Sequence, residues 1–128
     1  MFRVILYQPE IPPNTGNIIR LCANTGCHLD LIEPLGFHWD NKAIIRAGLV
    51  YHEFANIQKY KRWTYWRRDH QERRVVAFTT KRKSQYDQFD FQPEDCLLFG
   101  PESRGLPDDV LDEFPKTQKL RIPMLPES

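Results

Sequence analysis

The stretch "FRVILY" (residues 2–7), followed by "QPEIPPNTGNIIRLCANTG" (8–26), decides how the rest of the chain is read. The first piece is apolar and rich in β-branched residues, and Pro9 ends it, as expected for a buried strand. The second changes to helical character over 14–26, with Asn14 or Thr15 as the cap and Gly26 as the C-terminal stop. A strand followed directly by a helix is the opening unit of a parallel sheet.

The same alternation continues outward. "HLDLIEP" (28–34), "RRVVAFTT" (73–80), "DCLLFG" (95–100) and "KLRIPM" (119–124) read as strands. "NKAIIRAGL" (41–49), "KYKRWTYWRRDHQ" (59–71) and "PDDVLDEF" (107–114) read as helices, the last with Pro at its first position and acids in its first turn. The expected fold is α/β, a mostly parallel sheet flanked by helices, in a single domain over 1–128. Ligands of such sheets bind beyond the carboxyl ends of the strands. Three polar, glycine-bearing or basic loops fall there: "QPEIPPNTGN", "TTKRKS" and "FGPESRGLP".

Composition narrows the class. The chain has 128 residues, 41% hydrophobic and 27% charged, with a net charge of +1, which suits one globular core. No apolar run reaches the roughly 20 residues that span a bilayer. The N-terminus lacks the long apolar region of an export signal, so a cytoplasmic location is expected. Cys22, Cys27 and Cys96 are odd in number and lack paired two-residue spacing, so they read as thiols in a reducing compartment. His28, His38, His52 and His70 are scattered, and "HEFAN" lacks the second histidine of a zinc-protease motif, so no metal site is expected.

Charge is unevenly placed. Residues 59–74 carry seven Lys or Arg against two acids, and Lys81, Arg82 and Lys83 follow, whereas the last third is acidic. Cations interleaved with Tyr60, Trp63, Tyr65 and Trp66 suit single-stranded RNA. The three-residue spacing of Trp63 and Trp66 equally suits a helix that packs both rings on the sheet and leaves its cations in water.

The loops exclude several chemistries. Neither the glycine-lysine phosphate loop nor the three-glycine dinucleotide turn occurs, which argues against an ordinary nucleotide-binding enzyme of the doubly wound class. "PESRG" is not a nucleophile elbow, although Ser103 sits on it. Asn14, Asn17 and Arg20 remain. A helix start with exposed amides and a planar guanidinium two turns on suits a phosphate. The alternative is that Asn14 caps, Asn17 fills a turn and Arg20 is a solvated charge. In "FGPESRGLP", Gly100 and Gly105 permit either close backbone approach to a ligand or a plain turn, and Glu102 can pair with Arg104.

Taken together, "YQPEIPPNTGNIIRLCANTG", "IEPLGF", "RAGLVYHEF", "FGPESRGLP" and "RIPM" resemble, in order and spacing, the small SPOUT-class RNA methyltransferases. More narrowly, the chain is similar to the bacterial tRNA 2′-O-methyltransferases that act on the wobble cytidine or uridine. The match runs from Phe2 to about Met124 and is weakest over 60–90. The resemblance implies a sheet whose C-terminal part forms a trefoil knot, an exception to ordinary chain connection. It also implies a homodimer, S-adenosylmethionine as cofactor and a tRNA anticodon stem-loop as substrate. By position it assigns Phe78, Thr79, Gly100, Glu102, Ile122 and Met124 to the cofactor. Arg20 takes the catalytic position, with Asn14, Asn17 and Lys81 toward the RNA. The family continues past its last strand with a Ser/Asn-rich motif and a helix. Either the sequence that stops at Ser128 is only part of the protein, or the protein is truncated, and in the second case the expectation is a lost or incomplete knot, weak cofactor binding and little activity. An inactive RNA-binding module on the same scaffold is the alternative function.

Overall fold

The computed structural model describes residues 2–10, 12–37, 57–79 and 90–121, together with 42, 46, 48 and 49. Six strands form one sheet: β1 (Arg3–Tyr7), β2 (His28–Ile32), β3 (Gln58–Tyr60), β4 (Val75–Thr79), β5 (Cys96–Phe99) and β6 (Lys119–Arg121). Their spatial order is β3-β2-β1-β5-β4-β6, and every pairing is parallel. The mostly parallel sheet and the five expected strands are borne out as far as the described residues reach, and β3 is a sixth strand where a helix was expected.

Alternation along the strands builds two cores. Ile5, Ile32, Val75, Ala77, Cys96 and Leu98 face one side. There they meet Trp63 and Trp66 of helix α2 (Trp63–Asp69) and Val110 and Leu111 of the short helix α3 (Asp108–Leu111). Leu6, Leu29 and Leu31 face the other side, where Ile19 and Cys22 of helix α1 (Pro12–Thr25) cover them. Because both faces of β1 are covered, its run Val4–Tyr7 is continuously apolar, whereas β2 buries Asp30 among its leucines.

Helix α1 begins at Pro12, two residues earlier than the sequence suggested, because proline is preorganised for a first turn whose amides lack partners anyway. Asn14 and Thr15 therefore lie inside the helix and do not cap it. Thr15 is fully buried, and its Oγ1 finds no partner among the described residues. Gly26 ends the helix in the left-handed region (φ 77°), as expected. Pro107 immediately precedes α3 instead of opening it, with Asp108 and Asp109 in the first turn.

The segment expected as one helix over 59–71 divides. Gln58–Tyr60 adds to the sheet edge beside β2, and only Trp63–Asp69 is helical. Of the expected 41–49 helix, Lys42 and Arg46 are helical, and most of the remainder lies outside the described residues, as does the end of the last strand.

Trp63 and Trp66 belong to the core. Their rings stack at 5.2 Å, and His70 stacks on Trp66 at 4.3 Å. Trp63 Nε1 donates to the Glu113 carboxylate at 3.1 Å. Trp66 Nε1 donates to Asp30 Oδ2 at 2.7 Å, and Arg3 Nη1 donates to both oxygens of Asp30 at 2.9 and 2.8 Å. Asp30 is wholly buried, so these donors replace the water it gave up. Arg74 similarly grips the buried Asp95 through Nε and Nη2, at 2.8 and 2.7 Å. That bond, with the Gln92 amide, holds the Asp95 carboxyl below its ordinary range despite burial.

Asp30→Ala removes the acceptor and leaves the Trp66 indole N–H and the Arg3 charge without it. Urea denaturation should show a loss of about 3–5 kcal/mol, the cost of breaking one side of a buried pair. A loss under about 1 kcal/mol would mean that water replaces the carboxylate.

Candidate functional site

Strands β1 and β5 are neighbours, yet the chain leaves β1 for helix α1 on one face and β5 for helix α3 on the other. Parallel sheets open a crevice at such a point, beyond the carboxyl ends of the strands. Residues 8–10 and 100–106 face each other there.

The first loop is tightly made. Gln8 adopts φ 47°, an uncommon region for a residue with a Cβ, and its amide is anchored on the Ile32 carbonyl at 2.9 Å. The Gly36 amide donates to the Pro9 carbonyl at 2.9 Å, and a Cβ at Gly36 would lie 3.0 Å from Glu10 Cα.

The second loop folds back on itself. A Cβ built on Gly100 would stand 2.4 Å from the Leu106 amide nitrogen, so only glycine fits. Leu106 is fully buried in the α2/α3 core and pins the far end of the loop. Gly105 N–H closes the turn on the Pro101 carbonyl at 2.8 Å.

The two loops are bonded across the crevice. Ser103 donates from its amide to Glu10 Oε1 at 2.8 Å, and from Oγ to Oε1 and Oε2 at 2.8 and 3.0 Å. In return the Glu10 amide donates to Glu102 Oε2 at 2.7 Å. Arg104 does not pair with Glu102. Its Nε lies 3.6 Å from Glu10 Oε2, and its Nη2 donates to Gln8 Oε1 at 3.3 Å. The Ser103 bonds, aided by Arg104, hold the Glu10 carboxyl below its ordinary range. Nothing local in "QPEI" marks Glu10 as a partner of residue 103, because the pair is separated by 93 positions.

Arg20 lies on α1, half-buried, and its Nη2 donates to the Gly48 carbonyl at 3.0 Å. A Cβ at Gly48 would sit 3.3 Å from that nitrogen, so the glycine admits the guanidinium. Asn14 and Asn17 are exposed on the same helix at three-residue spacing. Phe78 on β4 stacks on Phe99 at 4.8 Å and on Phe91 at 6.3 Å, and Thr79 is buried beside it. Thr79 pairs with Arg121 in β6. Ile122, Met124 and Lys81 lie outside the described residues.

On the α2/α3 side of the same sheet end lies an open cleft of about 590 Å³, lined by Tyr7, Gln8, Lys61, Arg62, Asp109 and Glu113 among others. Burial, with Asp109 nearby, pushes the Tyr7 hydroxyl pKa up. Lys61, Arg62 and Arg68 are exposed, so cations lie outside the buried tryptophans. The thiols of Cys22 and Cys96 are pushed up to about 11 by burial. Among the described residues, no group of three or more His, Cys, Asp or Glu is placed to hold a metal. Nor is any helix there long and apolar enough to cross a membrane.

A doubly wound parallel sheet with a closed glycine loop at its switch point defines the class as an α/β enzyme scaffold. The chain belongs to the SpoU rRNA Methylase family, whose model matches residues 1–128. It is 56% identical over 128 residues to the tRNA (cytidine(34)-2′-O)-methyltransferase of Aeromonas hydrophila, covering 100% of this chain and 82% of the relative. A solved structure concerned with 2-OH methylation of C/U34 on tRNA superposes with a TM-score of 0.85 at 41% identity, covering 97% of this chain and 80% of that one. The AdoMet-bound rRNA methyltransferase of Sinorhizobium meliloti matches with a TM-score of 0.78 at 25% identity, covering 97% of this chain and 48% of that one.

Gly100→Ala forces backbone to move, since the obstructing atoms belong to the main chain. Denaturant titration should show a loss of about 2 kcal/mol or more, and a change under about 0.5 kcal/mol would mean that the loop relaxes freely.

Proposed function

We propose that the chain catalyses 2′-O-methylation of the wobble ribose, at cytidine or uridine, in tRNA anticodons with S-adenosylmethionine. The observation that carries this reading is the 56% identity to a tRNA (cytidine(34)-2′-O)-methyltransferase across the whole chain.

The residues at the crevice suit such a cofactor. A loop of closely folded backbone around Gly100 and a half-buried aromatic stack at Phe78 offer peptide groups and apolar surface, which an adenosine needs more than it needs charge. Phe78, Thr79, Gly100 and Glu102 would hold it, together with Ile122 and Met124. When bound, S-adenosylmethionine supplies the methyl group that replaces the proton on the ribose 2′-oxygen.

Arg20 faces the remaining difficulty, which is a hydroxyl that must lose its proton. A guanidinium with a pKa above about 12 is a poor base. It is a good stabiliser of the negative charge that grows on the 2′-oxygen. The Gly48 carbonyl takes one of its donors and orients the fork. The proton passes to an adjacent phosphate oxygen. Asn14, Asn17 and Lys81 contact the RNA, and exposed Lys61, Arg62 and Arg68 extend its electrostatic footprint. The reading includes a homodimer, as the family resemblance implies, and a cytoplasmic location.

Incubation with labelled cofactor and total tRNA, followed by mapping of the product, should place the label on the 2′-oxygen of the wobble nucleotide. Arg20→Ala should lower turnover at least ~100-fold, in line with the loss of one oxyanion donor. Arg20→Lys should stay low, because a point charge does not replace the planar fork. Unchanged turnover in Arg20→Ala would defeat the assignment, and salt-sensitive RNA binding without transfer would favour the inactive module.

A further inference from the structure

We infer that Glu10 is a positioning residue for methyl transfer, clamping the Gly100–Leu106 loop to the segment that starts helix α1. This rests on the function proposed above and adds a role for a residue outside the expected site.

Two other loops converge on the one that carries Glu10. Gly36 presses on its backbone from one side, with room for no Cβ without crowding. Gln8, two residues back, holds a left-handed conformation that costs energy for any residue but glycine, so the surrounding contacts must enforce it. On the crevice side, Glu10 and the glycine loop exchange bonds in both directions. The carboxylate accepts from the Ser103 amide and hydroxyl, and the Glu10 amide donates to Glu102. Arg104 closes the set by reaching both Glu10 and Gln8. Reciprocal bonds of this kind satisfy loop amides at both ends and fix two segments in one register, as a capping box does for a helix end. Several are charge-assisted and therefore short and directional.

The consequence is mechanical. Glu10 lies two positions before α1, the helix that carries Asn14, Asn17 and Arg20. Ser103 lies between Gly100 and Leu106, in the loop assigned to the cofactor. The β1–β5 ladder fixes where the two loops begin, but their connections then diverge to opposite faces, so it does not set the distance between the loop tips. The clamp bridges that gap and fixes the distance between catalytic helix and cofactor loop. It also turns Glu102 toward the Glu10 amide, so Glu102 acts at least partly as a brace of its own loop.

The test combines transfer kinetics with amide hydrogen exchange. Glu10→Ala should lower kcat about 100-fold, the effect of misplacing reacting groups by about an ångström, and weaken S-adenosylmethionine binding, with KM for tRNA little changed. Ser103→Thr keeps the hydroxyl and should retain near wild-type rates, whereas Ser103→Ala should fall between. In the Ser103→Ala background, Glu10→Ala should cost less than it does alone, as expected for groups in one network. The Ser103 amide should exchange slowly in the wild-type protein and markedly faster in Glu10→Ala, with Glu10→Gln serving if the alanine variant does not fold. Unchanged exchange at Ser103, strictly additive effects, or a kcat within twofold of wild type would each overturn the inference. Exchange needs no methyl transfer, so it judges the clamp even if the catalytic reading fails, while inactivity of the wild-type chain would count against that reading alone.

Discussion

Strands β1 and β5 lie side by side at the centre of the sheet, and the chain leaves them for opposite faces. The remaining structure follows from that divergence. It opens a crevice at the carboxyl ends of the strands, and it puts α1 against Leu29 and Leu31 while α2 and α3 cover Ile5 and Leu98. It also separates the two loops on which a site must be built. A sheet alone would leave those loops free to drift. Here the Glu10–Ser103 exchange joins them, Gly100 lets one of them fold back on itself, and Leu106 anchors it in the core.

A second constraint is the buried charge of Asp30. It sits on β2 between two core leucines, and its carboxylate takes bonds from β1 through Arg3 and from α2 through Trp66. A carboxylate in such a place destabilises any arrangement that leaves it unpaired. It therefore selects the register in which Arg3 approaches β2 and the seat in which α2 places its indole. The α2 helix is only seven residues long, too short to persist alone, so packing rather than propensity holds it.

Local patterns were readable where they follow from local physics. The strands at 3–7, 75–79 and 96–99 appear as largely apolar runs, because burial on both faces demands it. The end of α1 is legible in Gly26, whose left-handed conformation suits glycine. The tryptophan spacing admitted core packing beside an RNA-facing role, and the rings of Trp63 and Trp66 are buried. Two local readings moved. Asn14 and Thr15 lie inside a helix that begins at Pro12 and do not cap it, and a stretch with helical length yielded its first residues to an edge strand. That strand carries Lys59 and Gln58, and its pairing with β2, not its own composition, makes it a strand.

By itself the sequence determined the class of fold, the glycine-bearing loops at the strand ends and the family to which they belong, because each is written in neighbouring residues. Tertiary structure alone decided which loops meet. Gln8 with Arg104, Glu10 with Ser103 and Arg3 with Asp30 are pairs distant in sequence and adjacent in space. A hydrogen bond depends on distance in space, and for partners far apart in the chain that distance is fixed only once the sheet order is known.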